Sequence, residues 1–424
     1  MEKNVKKKAL LKWSALPLVA VVGYLLALQI WSWRWDTPSQ PLPEGHLSHE
    51  DVATGTGSSP DLAALAQSGL VAMANDLQSV SVSGAMSING EPVWSGTVGL
   101  ASIVPYVPAT VNTQYRIGSV SKAITAVALM RMVEEGKLEL DVPIHQYLPS
   151  FPKHNAPITA RQLASHTAGI RHYHFEPFKF PPTDGLSNHQ YGDVEEALSQ
   201  FSDDALLFEP GHDFAYSTHG YTLLSAVMQA AGNMKFDLLL EELINAPLGL
   251  NKTVAEHLIP STAELARFYV ADNGKFGLTP EQNLSNKVAG GGLVSTPSEL
   301  VQIGSALMNN GLLSESSFST MTQVQKIAGG EDNPQSYALG WRHYTTRHIL
   351  DGEDVDVIHH GGVSVGANAF LLLVPQYNIS VAILTNSKGQ NSRGEIQMFA
   401  YRLAGQAIAA KQLDANGEAV MSAE

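Results

Sequence analysis

The chain contains no cysteine. Disulfides, thiolate metal centres, cysteine nucleophiles and cysteine-linked lipid anchors are thereby excluded. Basic residues are also scarce: 26 Lys and Arg stand against 40 Asp and Glu, a formal charge of −14. No basic excess is left to neutralise phosphates, so nucleic acid is not an expected partner. Internal repeats are absent, and charged residues make up only 16% of the 424 positions. What is present is 44% hydrophobic residues with 36 Gly and 22 Pro. That composition gives a globular chain with a sizeable core and excludes a mostly disordered one.

One long uncharged run exists, from Trp13 to Trp33, preceded by Lys3, Lys6, Lys7, Lys8 and Lys12. At ~1.5 Å per residue it spans roughly 31 Å, about the hydrocarbon thickness of a bilayer. Asp36, Glu44, Glu50 and Asp51 follow it. The charge bias predicts a cytoplasmic segment 1–12, a membrane-spanning signal-anchor helix over 13–33, and everything beyond it outside the cytoplasm, as in a bacterial periplasm. A eukaryotic organellar membrane satisfies the same physics, and a cleaved signal peptide is the competing reading. Residues 34–60 are rich in Pro, Gly, Ser and Thr and read as a flexible linker, with His46 and His49 solvated in it.

From 61 to 413 the pattern is that of one domain, with 414–424 as a tail. Asp61–Leu77 is amphipathic and reads as a helix. Val80–Ile88 and Val93–Gly99 alternate around Asn89-Gly90, a hairpin signal. Ser121–Glu135 is apolar on nearly every side, which predicts a buried helix. Thr159-x-x-Gln162 and Thr296-x-x-Glu299 read as capping boxes. Tyr221–Ala231 is a further apolar helix, closed by Gly232. Val355–His359, Ala367–Val374 and Ile379–Thr385 read as strands, and Glu395–Leu413 as a closing helix. Strands at both ends with helices between predict an α/β (α+β) fold: an antiparallel sheet flanked by helices, with an inserted, mostly helical lobe. Catalytic sites favour the seam between such lobes.

Chemistry-bearing residues cluster in short stretches. Ser119-x-x-Lys122 opens the buried helix, and residues three apart share a helix face. Burial lowers a lysine's pKa, which suits Lys122 to take the Ser119 proton, while the helix N-terminus favours a developing oxyanion. Tyr216-Ser-Thr218 stands at a loop-to-helix junction. Ala289-Gly-Gly-Gly292 is a glycine-dense turn, here expected to border a cleft. His359-His-Gly-Gly-Val-Ser-Val-Gly366 runs from a strand into a turn. His166 reads as a structural hydrogen-bonder. His172 and His174 lack an evident third ligand, so no metal and no cofactor are expected.

Taken together, these stretches resemble the serine β-lactamase and penicillin-binding protein superfamily. The likeness lies on the branch with class C β-lactamases, DD-peptidases, esterases and the mitochondrial serine β-lactamase-like proteins, and covers nearly all of 61–413. Gly169-Ile-Arg-His-Tyr173, Ala266-Arg-Phe-Tyr269, Pro247-Leu-Gly-Leu250 and Leu384-Thr-Asn386 support it. The resemblance implies a serine hydrolase that forms an acyl-enzyme on a small-molecule or peptide substrate, through an amide, peptide or ester bond; with the 13–33 run it reads as membrane-anchored. By the same resemblance Ser119 is the nucleophile, Lys122 its base and Tyr216 the proton shuttle. Thr218 replaces the family's common asparagine at a substrate contact. His360-Gly361-Gly362 stands for the third motif, with His359 as the other possible register. The backbone N–H groups of Ser119 and Val363 supply the oxyanion hole. Thr218 and His360 both depart from the pattern of efficient β-lactam hydrolysis.

A histidine at 360 that faces substrate changes charge near its ordinary pKa of ~6.5. Preference for carboxylate-bearing substrates is then expected to weaken between about pH 6 and 8. Phe175, Phe178, Phe180 and Tyr191 are candidates for an apolar substrate wall. A scaffold of the same fold, a β-lactam sensor or a filament-forming homo-oligomer, is the alternative function.

Overall fold

The computed structural model describes residues 23–25, 27–29, 39–57, 60–152, 156–176, 183–186, 188–259, 264–389 and 392–421. In chain order, strand β1 (Glu50–Thr54) precedes helix α1 (Pro60–Asp76) and the hairpin β2 (Ser81–Ile88) and β3 (Glu91–Ser102). Asn89 and Gly90 turn that hairpin with φ of 53° and 91°, the left-handed pair that the Asn-Gly dipeptide supplies at low cost. The middle of the chain forms α2 (Val120–Glu134), α3 (Thr218–Gly232) and α4 (Pro297–Met308). Strands β4 (Arg342–Leu350), β5 (Glu353–Ser364), β6 (Ala367–Val374) and β7 (Ile379–Thr385) and helix α5 (Ser392–Met421) complete it.

The principal sheet runs β4-β5-β6-β7-β2-β3-β1, with every pairing in that order antiparallel. The two ends of the chain therefore join at the β7–β2 pair, as the order of elements predicts. Every residue of β6 and β7 is buried, because helices cover both faces. Period-two alternation sorts their side chains. Phe370, Leu372, Val381 and Ile383 pack with α1 and α5, through Leu70, Met73, Phe399 and Leu403. Leu371, Leu373, Ala382 and Leu384 face α4 and the helical lobe. Within that lobe α2 is buried almost all round, so its helicity is secured by tertiary packing rather than by an amphipathic stripe.

Four local expectations change. Residues 40–57 are not a free linker: β1 pairs along β3 as an edge strand, and Gln40–Pro41 pairs with Phe276 and Lys275. His46 Nε2 reaches the Ser79 carbonyl at 3.2 Å, and His49 meets the Tyr106 hydroxyl at 2.7 Å. Thr159 forms both halves of its capping box. Thr296 accepts from the Glu299 N–H, but the Glu299 carboxylate turns away to the N–H groups of Asn251 and Lys252 and the Thr253 hydroxyl. Asn233, at φ 47°, caps α3 rather than Gly232, and α5 continues through the expected tail to Met421. The expected span over 13–33 lies largely outside the described residues. Among the described residues no helix is long and apolar enough to cross a membrane.

Candidate active site

Ser119 caps the N-terminus of α2 and is preceded by Gly118 at φ 49°. A Cβ on Gly118 would lie 2.7–2.8 Å from the Val363 backbone, and one on Gly362 would lie 1.9 Å from the Ile117 carbonyl oxygen. Only glycine at both positions lets β5 run backbone against backbone past the turn that carries Ser119. This contact brings the N-terminus of α2 beside Val363.

Lys122 is fully buried, one turn further along α2. Its Nζ lies 2.5 Å from the Gly290 carbonyl oxygen, 3.0 Å from Thr218 Oγ1 and 3.3 Å from Ser119 Oγ. Burial, reinforced by Arg342 and Lys287, pushes its pKa well below the ordinary lysine value. A neutral amine has two N–H donors and one lone pair. The carbonyl of Gly290 can only accept and Thr218 takes a second N–H, which leaves the lone pair toward the Ser119 hydroxyl. Tyr216 stands on the other side. Lys122 Nζ is 4.8 Å from its ring centre, and the Ser119 side chain is near enough to its hydroxyl to oppose part of the pKa rise that burial imposes. Burial raises the phenol to about 12, so it is held protonated at neutral pH.

Two imidazoles fix the backbone that presents Tyr216 and Thr218. The Ser217 N–H donates to His166 Nδ1 at 3.1 Å, and the Thr218 N–H donates to His172 Nδ1 at 3.0 Å. These are among the first N–H groups of α3, which have no partner within the helix. Both histidines are held neutral, His166 well below its ordinary pKa and His172 at about 3, chiefly by burial.

Strand parity decides the register at 359–360. His359 lies on the α1/α5 face, with its ring centre 5.1 Å from that of Phe370. His360 lies on the site face, fully buried, with Nδ1 2.7 Å from the Gly361 carbonyl and Nε2 2.9 Å from the Tyr337 hydroxyl. The carbonyl must accept, so Nδ1 carries the proton and Nε2 accepts from Tyr337. Burial and the neighbouring Arg342 and Lys122 hold His360 well below its ordinary pKa. It is neutral throughout pH 6–8, and the expected charge-reading role in that window is corrected.

In front of Ser119 opens a cleft of about 700 Å³. Thr218, Gly290, Gly291 and Val363 border it, as do Tyr173 and Phe175 from the loop after 170. The 288–291 glycine segment is a short helix rather than a tight turn, but it does line the cleft. Phe178 and Phe180 lie outside the described residues, and the Tyr191 N–H donates to Ser285. Sequence reasoning missed Tyr337, Arg342 and Lys287. Arg342 lies 5.9 Å from the Tyr216 ring centre and 5.4 Å from that of Tyr337. Lys287 lines the cleft; a cation three residues before the Gly290–Gly292 run was the available signal.

The Beta-lactamase family model matches residues 68–406. The mouse (Mus musculus) mitochondrial serine beta-lactamase-like protein LACTB is 29% identical over 385 residues, covering 70% of this chain and 70% of that protein. A D-amino acid amidase from Ochrobactrum anthropi superposes with TM-score 0.69 at 21% identity, over 83% of this chain and all of that one. An octameric penicillin-binding protein homologue from Pyrococcus abyssi gives TM-score 0.65 at 23% identity, over 82% and 77%.

Proposed function

The chain belongs to the Beta-lactamase family of serine hydrolases, and from that premise we propose that it cleaves amide, peptide or ester bonds through an acyl-enzyme on Ser119. In acylation the Ser119 oxygen attacks the substrate carbonyl carbon while its proton passes to Lys122 Nζ. The carbonyl oxygen gains negative charge where the Ser119 and Val363 N–H groups and the N-terminus of α2 favour it. Lys122, now an ammonium with three N–H donors, keeps Gly290 and Thr218 as acceptors and turns its third N–H to the Ser119 oxygen, which has given up its proton, so no rearrangement is needed. Tyr216 gives its proton to the departing amine or alkoxide and is reprotonated from the Lys122 side. Water then attacks the ester and returns Ser119 its proton.

The observation that carries this reading is a fully buried lysine whose polar partners are a carbonyl and two hydroxyls, one of them Ser119. An amine in such a place costs stability, and a scaffold gains nothing from it. Amides are among the substrates to test, since a D-amino acid amidase shares the fold. A panel of 4-nitrophenyl esters and amino-acid amides, offered to the whole chain and to Ser119→Ala, tests the reading. Turnover by the wild type that disappears in Ser119→Ala is expected; equal rates would refute it.

A further inference from the structure

Lys287 has an unusual position for a cation. It lines the cleft that opens on Ser119, and its Nζ donates to the Gly185 carbonyl at 3.0 Å and lies 4.7 Å from the Tyr173 ring centre. The carboxylates that act on it are engaged elsewhere. Asp184 binds Arg171 at 2.7 Å and His219 at 3.0 Å, and Glu256 pairs with Arg116 at 2.6 Å. No ion pair to Lys287 is formed among the described residues. A partly buried ammonium left without a counter-ion is unfavourable, and N–H capacity remains for a ligand in the cleft.

The lining around it has one sign of charge. Lys287 and Lys388 are the ionised groups among the described lining residues, with no Asp or Glu, on a protein of net charge −14. Lys388 also lines the cleft and is exposed, beside Gly389. Low-dielectric walls with cations of one sign concentrate anions. Phe175, Val270, Ala271 and the Tyr173 ring give the lining an apolar stretch that suits a short carbon chain, beside the uncharged polar Gln282 and Ser364.

We propose that Lys287 is the anion receptor of this cleft: the substrates are esters or amides whose acyl portion carries a carboxylate, which pairs with Lys287 while the scissile carbonyl lies at Ser119. Lys388 draws the anion in at the mouth. The inference rests on the hydrolase reading above.

The test compares two 4-nitrophenyl esters, of adipic acid and of adipamic acid, identical except for a terminal carboxylate or carboxamide. With the whole chain near pH 7, kcat/KM for the acid is expected to exceed that for the amide. A charge-assisted contact supports a ratio on the order of tenfold or more. Lys287→Met is expected to remove most of that ratio and Lys287→Arg to retain it. A wild-type ratio of one or below overturns the proposal without any variant, and so does a ratio unchanged in folded Lys287→Met. If both esters turn over in a Ser119-dependent way with no preference, this inference alone fails. If neither turnover depends on Ser119, the hydrolase reading fails and takes the inference with it.

Discussion

The Tyr337 hydroxyl and Nε2 of His360 are 2.9 Å apart in the protein interior, and the phenol is the donor. This pair makes position 360 a supporting element behind the cleft rather than a surface that substrate touches. Tyr337→Phe leaves a buried imidazole nitrogen without a partner. The expected cost is roughly 1–3 kcal/mol of stability, read by urea denaturation. Replacing His360 by Asn is expected to leave any carboxylate preference between pH 6 and 7 as it was; a preference that vanishes would put His360 back in contact with substrate.

Lys287 supplies a different pH dependence. Burial, with Arg116 nearby, lowers its pKa to about 8, while Asp184 and Glu256 oppose the shift. Its charge is present below that value and lost above it. Preference for the adipate ester over its carboxamide is therefore expected to decline between about pH 7 and 9. In Lys287→Arg the decline is expected to disappear, because the guanidinium stays charged.

Lys122 links stability to pH. Its folded pKa lies well below the ordinary value, so between that pKa and ~10.4 the unfolded chain binds one proton more than the folded one. Stability then rises with pH by about 1.4 kcal/mol per unit from this group. The stability difference between wild type and Lys122→Met, followed by denaturation from neutral pH up to pH 9, is expected to carry that slope. A difference independent of pH would mean that Lys122 is an ammonium in the folded protein.

How far the sequence could be read depends on what holds each element. Strands β6 and β7 match their expected bounds to the residue, because unbroken apolar runs between turn residues mark a sheet covered on both faces. The Ser119–Lys122 pair was legible for a similar reason: a lysine in an otherwise apolar helix stands out. The choice of His360 over His359 came from motif resemblance and not from strand pattern. β5 is largely buried on both faces around 357–360, so composition cannot say which parity meets the site. β1 was missed because its side chains are mostly exposed and its place is secured by backbone pairing to β3, leaving it as polar as a linker. Tyr337 sits in irregular chain before β4, where no periodicity points to a partner.

That edge strand gives a further expectation. Gln67 donates to Glu50 at 2.7 Å, and the Val111 N–H donates to Asp51 at 2.9 Å, so β1 ties α1 and the 111 turn to the sheet. A chain beginning at residue 58 is expected to lose at least about 1 kcal/mol, or a few degrees in Tm, relative to one beginning at residue 39. Equal melting would mean that β1 contributes nothing to the domain.

Tyr216 separates proton delivery from binding. Tyr216→Phe keeps the ring beside Lys122 and removes the hydroxyl next to Ser119. A fall in kcat of roughly 10²–10⁴ with little change in KM is expected for amide substrates. The effect is expected to be smaller for 4-nitrophenyl esters, whose leaving group departs without a proton. Equal losses on both substrates would assign Tyr216 a structural part only.

The decisive measurement is the mass of the protein after reaction with a fluorophosphonate, followed by peptide mapping. One adduct per chain, located on Ser119 and absent from Ser119→Ala but retained in Ser121→Ala, is the expected outcome. An adduct on another residue, or none on folded wild-type protein, would refute the acyl-enzyme mechanism.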